Sequence, residues 1–193
     1  MRRASATSLT AGRVIALLRA VNVGGRSLKM EDLRQILHRL GYVEPRTLLQ
    51  SGNAVFGFVA NTPVRTAASV EAQIEEALQK RLSLQSDVFV RSAAEWNEAI
   101  EGNPFPEQAA SDPAHLVLGT LRDAPSSASV AALRAAIKGR EIVQARGRYL
   151  YVVYPDGIGP SKLTGGVIDR ALSTRGTARN WNTVLKLAAL AGA

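Results

Sequence analysis

Residues 13–30 read RVIALLRAVNVGGRSLKM, and the character of the chain changes twice within them. Val14 to Val21 is an apolar run broken only by Arg19, short and rich in Val, Leu and Ile, which is the pattern of a strand buried on both faces. It stops at Asn22. Gly24, Gly25 and two basic residues, Arg26 and Lys29, follow before Met30, Leu33, Ile36, Leu37 and Leu40 take up helical spacing. Gly41 then supplies a left-handed stop. A strand, a glycine-bearing loop and a helix in this order open a βα unit, and the rest of the chain is read outward from it.

Downstream, Thr47–Gln50 and Ala54–Val59 are β-prone runs around Ser51-Gly52-Asn53, whose small residues suit a tight hairpin. Val70, Ile74, Ala77 and Leu78 share one helical stripe, and Asp87–Arg91 makes a further strand. The first unit, residues 13–91, is therefore β-α-β-β-α-β. In residues 92–113, Ser92 and Glu95 form a capping box that opens a short helix carrying Trp96 and Ile100, ahead of Asn103-Pro104. The pattern then recurs in residues 114–193. A strand His115–Leu121 leads to a helix Ser126–Lys138 bearing Val130, Leu133 and Ile137. A strand pair follows, Glu141–Ala145 and Tyr149–Tyr154, then a helix near Ser161–Ser173 and a short strand near Thr177. A last helix, Trp181–Leu190, turns Trp181, Val184, Leu185 and Ala188 inward. The fold class predicted is α+β, a tandem duplication of ferredoxin-like βαββαβ units with a C-terminal helix.

Composition narrows the chemistry. The 193 residues are 46% apolar and 21% charged, the balance of a globular protein, and residues 1–12 read as a polar tail. With no cysteine there are no disulfides, thiolate nucleophiles, iron–sulfur clusters or cysteine-bound zinc, and His38 and His115 are too few for a histidine metal centre. No metal and no cofactor are expected. Cysteine-free composition fits a cytoplasmic setting, no signal-peptide pattern follows Arg2 and Arg3, and no stretch approaches the roughly 20 apolar residues that span a bilayer. The net charge of +8 is unevenly spread: residues 1–91 carry 13 basic and 7 acidic side chains, residues 92–110 none and 4, residues 111–193 11 and 5. Such a charge attracts anionic metabolites and polyanions, although solubility alone accounts for it.

Five ordered motifs, ALLRAVNVGG, LQSGNAVF, NPFP, YPDGIGPSKLT and RNWNTVLKLA, together resemble the bacterial domain of unknown function 1697 family over about residues 13–190. The resemblance implies a soluble α/β protein built from a duplicated ferredoxin-like unit and carries no activity with it. Two positions depart from the pattern: glycine is expected where Ala20 stands, and a helix former where Gly165-Gly166 stands.

In a β-α-β-β-α-β unit the first two strands run the same way, so the turn after strand one and the turn between strands two and three share one end of the sheet. Arg19, Asn22, Gly24, Gly25, Ser27 and Lys29 then face Gln50, Ser51 and Asn53. Amides, hydroxyls, bare backbone and cations near a helix N-terminus could hold a phosphate or carboxylate. Glu31 and Asp32 in the helix's first turn compete for that role. A plain turn and a plain hairpin explain the same residues, since neither a Walker loop nor a three-glycine dinucleotide fingerprint is present. In the second unit, Tyr154–Lys162 and Arg179–Asn182 should also converge, with Ser161, Lys162, Arg179, Asn180 and Asn182 around the Asp156-Gly157 turn. Here the plain alternative makes Asn180 a helix cap and Trp181 a core residue.

Three classes of function remain. The first is binding of, or chemistry on, a small anionic or phosphorylated ligand, with Lys29, Lys162 or Asp156 as proton-transfer groups and no histidine near either cluster. The second is RNA or other nucleic acid, for which Tyr149 and Tyr151 would have to be exposed on one sheet face. The third is a protein-interaction module. Ser51 is not a hydrolase nucleophile, because it precedes a strand and lacks the glycine frame of a nucleophile elbow. Whether the chain is an enzyme, and its oligomeric state, are not readable from these residues.

Overall fold

A computed structural model describes residues 8–9, 12–22, 27–59 and 65–192. They form a mixed α+β fold with two four-stranded antiparallel sheets. The chain divides into two compact units, one holding the described residues up to Asn97 together with those from Leu187, the other Glu98–Lys186.

The first unit runs β1 (Ser8–Leu9), β2 (Val14–Leu18), α1 (Met30–Arg39), β3 (Val43–Leu48), β4 (Asn53–Gly57), β5 (Arg65–Thr66), α2 (Ala67–Leu82) and β6 (Val88–Ser92). Its main sheet has the order β3-β4-β2-β6, while β1 pairs with β5 alone. After α3 (Ala93–Glu101) and α4 (Pro106–Ser111) come β7 (Leu116–Leu121), α5 (Ser127–Ala136), β8 (Ile142–Arg146), β9 (Tyr149–Val153), α6 (Gly165–Leu172), β10 (Gly176–Asn180) and α7 (Trp181–Ala191). The second sheet has the order β10-β7-β9-β8. The boundary between the units thus falls inside α3 and again inside α7.

Both faces of each sheet are buried, which is why the central strands read as unbroken apolar runs. On β2, Val14, Ala16 and Leu18 pack with Leu33, Leu37, Val70 and Ile74 from α1 and α2, while Ile15 and Leu17 on the opposite face are equally buried. In the second unit, Val117, Leu121, Leu150 and Val152 pack with Leu133 of α5 and Leu172 of α6. Helix α1 has no side-chain cap at Lys29 and depends on this burial; Gly41, at φ +80°, ends it. Helix α2 is capped by Thr66 and α6 by Thr164, and both close on a left-handed serine, Ser83 and Ser173.

Local backbone shifts several predicted boundaries. Strand β2 stops at Leu18 rather than Val21 because Ala20 and Asn22 adopt φ of +52° and +56°. Strand β3 starts at Val43, ahead of the apolar run, because a bulge with Glu44 at φ +46° accommodates Pro45 on this edge strand. Asn53 opens β4 instead of lying in the turn, whose left-handed positions are Leu49 and Gly52. Helix α6 starts at Gly165, four residues after Ser161. No helix among the described residues is long and apolar enough to cross a membrane.

The edge of β6 is closed by side chains. Val88, Val90 and Ser92 direct their N–H groups away from β2, and these donate to Glu75 (2.8 Å), Glu71 (2.8 Å) and Glu95 (2.9 Å). The last of these, with Ser92 Oγ accepting from the Glu95 N–H, is the capping box read from the sequence. Arg91, 1% exposed, donates from Nη1 to the Val90 carbonyl at 2.8 Å and lies 3.9 Å from Glu71 Oε1. A carboxylate and a guanidinium therefore occupy the place of a fifth strand's peptide group. Removing the carboxylate leaves the buried Val90 N–H without its acceptor and takes a negative charge away from the buried Arg91. Glu71→Ala is expected to lower stability by about 3 kcal/mol, read as a fall in urea midpoint, whereas Glu76→Ala, exposed on the same helix, changes it by less than about 0.5 kcal/mol.

Ala20 stands at a left-handed position where its Cβ crowds the following carbonyl. Ala20→Gly is expected to raise stability by about 0.5–1 kcal/mol, seen as an upward shift in Tm.

Candidate functional site

In the first unit the two turns do meet. Leu18 N–H donates to the Gly52 carbonyl at 2.7 Å, and a side chain at Gly52 would lie only 2.6 Å from Val21 Cγ2 and 2.8 Å from Leu18 Cβ. Asn22 uses its whole amide on backbone: Nδ2 donates to the carbonyls of Leu28 and Gln50, and Oδ1 accepts from Leu28 N–H at 2.7 Å. Asn53, fully buried, donates to the Leu48 carbonyl and to Ser51 Oγ. Gln50, Ser51 and Lys29 are exposed and Arg19 is half-buried; Gly24 and Gly25 lie outside the described residues. The amides that converge here work as braces holding one turn against the other.

The second unit presents a different arrangement. At the end of its sheet where β9 and β10 finish and β7 and β8 begin, Glu141, Tyr154 and His115 stand side by side across β8, β9 and β7, while Asn180 on β10 lies level with Val117, two residues further in. Lys162 lines a cleft at this end that does not include Arg179, whose strand β10 is separated from β9 by β7. Arg179 is buried, donates to Thr177 Oγ1 and to the Ala178 carbonyl, and its loss of hydration pushes its pKa down to about 10. Asn182 is exposed on α7, Asn180 caps that helix through the Thr183 N–H, and Trp181 is core, with its ring centroid 6.4 Å from that of Tyr151.

Around Lys162 lies a cleft of about 220 Å³, lined by Lys138, Glu141, Tyr154, Asp156, Ser161 and Lys162 with intervening glycine and proline backbone. Each of its carboxylates is hydrogen-bonded, Glu141 through one oxygen and Asp156 through both. Ser161 Oγ donates to Glu141, and Arg140 grips Asp156 with two donors, the Nε contact at 3.0 Å; these hydrogen bonds hold both acids below the ordinary carboxylate range. Lys138 and Lys162 form no ion pair among the described residues, and Arg140 brings a third positive charge to Asp156 beside them. Sequence reasoning missed Lys138 and Glu141, yet the hairpin pairing of residues 141–145 with 149–154 already puts Glu141 opposite Tyr154. It also missed His115. Asp112 Oδ2 lies 2.7 Å from His115 Nδ1, and Nε2 lies 3.6 Å from where a Cβ on Gly157 would stand. Among the described residues no three His, Asp or Glu side chains cluster to hold a metal ion.

The chain matches the family model described as "Protein of unknown function (DUF1697)" over residues 12–151. It belongs to that family. No curated protein matches it. Among solved structures it resembles the conserved bacterial protein SP0830 from Streptococcus pneumoniae, at 17% identity and a TM-score of 0.67, over 94% of this chain and 99% of that one. At that identity the likeness is one of fold.

Within this family member the tyrosine pair read as a stacking platform is not available. Tyr151 is 1% exposed and its hydroxyl donates to the Ala99 carbonyl at 2.7 Å. Tyr154 is buried as well; its hydroxyl donates to the Leu163 carbonyl at 3.2 Å, and burial, reinforced by the nearby Glu141 charge, pushes its pKa up to about 12. A phenol whose folded pKa lies above its unfolded value near 10 stabilises the fold below pH 10, and that contribution fades as pH rises from 10 to 12. Absorbance titration at alkaline pH should therefore show a late tyrosinate step that disappears in Tyr154→Phe, and the wild type should lose stability across pH 10–12 more steeply than the variant.

Proposed function

We propose that the protein binds a small anionic or phosphorylated molecule in the cleft around Lys138 and Lys162. The observation that carries this reading is that both ammonium groups are free of ion pairs among the described residues, while Asp156 is held by Arg140 and one Glu141 oxygen accepts from Ser161. An anion is the ligand such a cleft lacks, and glycine and serine backbone on its wall adds donors suited to phosphate or carboxylate oxygens. The first unit's turns are the weaker candidate, since Asn22 and Asn53 would have to release backbone carbonyls to reach a ligand.

On the same reading the two units are tandem copies of the ferredoxin-like split βαβ, residues 13–91 and 114–193, joined through residues 92–113. Equal strand order counted from the first strand of each unit, threonine caps on α2 and α6, and left-handed serines after both helices support it. A cysteine-free chain is in keeping with the cytoplasm as its setting.

Thermal-shift titration with inorganic phosphate and a panel of phosphorylated metabolites tests the proposal. A ligand at 100 times its Kd should stabilise the wild type by about 2.7 kcal/mol. Lys162→Ala and Lys138→Ala should each weaken that ligand about tenfold, whereas Lys29→Ala leaves it unchanged. No stabilisation by any small anion, or equal stabilisation of the Lys162 variant, rejects the cleft. Stabilisation by short RNA alone, falling steeply with salt, favours the nucleic-acid class instead.

A further inference from the structure

The outer edges of β6 and β10 are closed by one device, and the second copy lacks a part. In the first unit Glu75 accepts from Val88 N–H, Glu71 from Val90 N–H, and Arg91 holds the Val90 carbonyl. In the second, Asp169 accepts from Gly176 N–H at 3.2 Å and Arg179 holds the Ala178 carbonyl at 2.7 Å. Gly176 thus stands for Val88, Ala178 for Val90 and Asp169 for Glu75. Four residues before Glu75 comes Glu71, but four before Asp169 comes Gly165, which has no side chain. Strand alternation turns the Ala178 N–H toward the same edge as that of Gly176, and among the described residues no side chain accepts from it. Where the missing carboxylate would lie there is a second cleft, about 80 Å³, lined by Gly165, Asp169 and Ala178 and walled by apolar Leu150, Val152 and Ile168.

We propose that this cleft binds a short aliphatic carboxylate, its head accepting from Ala178 N–H beside Arg179 and its alkyl part lying on Leu150, Val152 and Ile168. Glu71 is the model for the head group: in the first unit a carboxylate at this position satisfies the outward N–H and lies within 4 Å of the neighbouring guanidinium. The apolar walls select the rest. A strongly hydrated inorganic anion would lose its water against them without replacement, whereas a carboxylate with a two- or three-carbon tail satisfies both the N–H and the walls. This site shares neither Lys138 nor Lys162 with the larger cleft, so the two proposals stand or fall separately.

The test is a titration of ¹⁵N-labelled protein with sodium butyrate, following the Ala178 amide, against sodium chloride and 1-butanol at matched ionic strength. The result expected is a saturable downfield shift of the Ala178 amide proton with butyrate only. It should persist in Gly165→Ala, whose added methyl meets open space, and be lost in Gly165→Glu, which carries its own carboxylate. An Ala178 shift that is absent, equal with butanol, or undiminished in Gly165→Glu overturns the proposal. Should Gly165→Glu not fold, the comparison of butyrate, butanol and chloride on the wild type decides alone.

Discussion

The constraint on which the rest depends is that the central strands of each sheet are buried on both faces and that the edge strand β6 is buried with them, so its outward polar backbone has little water to turn to. A solvated sheet would leave the outward N–H groups of a last strand to the solvent; here they sit beside a covering helix. In the first unit that helix answers with carboxylates one turn apart, Glu71 and Glu75, and the strand itself contributes Arg91. The charges are there because peptide groups need partners, and the desolvation of each charge is offset by the hydrogen bonds it makes.

The same accounting separates the two candidate sites. At the first unit's turns, the Asn22 amide and the Asn53 nitrogen are already needed to hold backbone, which braces one turn against the other. At the second unit's rim, acids are absorbed by Ser161 and Arg140 while two lysines are not absorbed by anything described. Which polar groups a fold spends on itself, and which it leaves over, decides where chemistry can happen.

Much of this was legible in the residues. The stripe Met30, Leu33, Ile36 and Leu37 marks α1 because burial repeats every 3.6 residues, and Ser92 with Glu95 marks the start of α3 because a capping box is wholly local. Element order, and with it the antiparallel pairing, follows from these. What the sequence hid is what depends on tertiary neighbours. Glu71 and Glu75 look like members of a solvated helix face until the edge of β6 is beside them. Ala20 and Asn22 end β2 early through left-handed backbone that an alanine does not advertise. His115 looked remote from every cluster, although strand pairing sets it beside Tyr154.

The closed edges also bear on assembly. A strand that already has its rungs filled, as β6 has, offers a second molecule nothing to zip onto, so growth of the first sheet by borrowed strands has to start from β3. On β3 the bulge at Glu44 and the missing N–H of Pro45 interrupt the template within its first three residues.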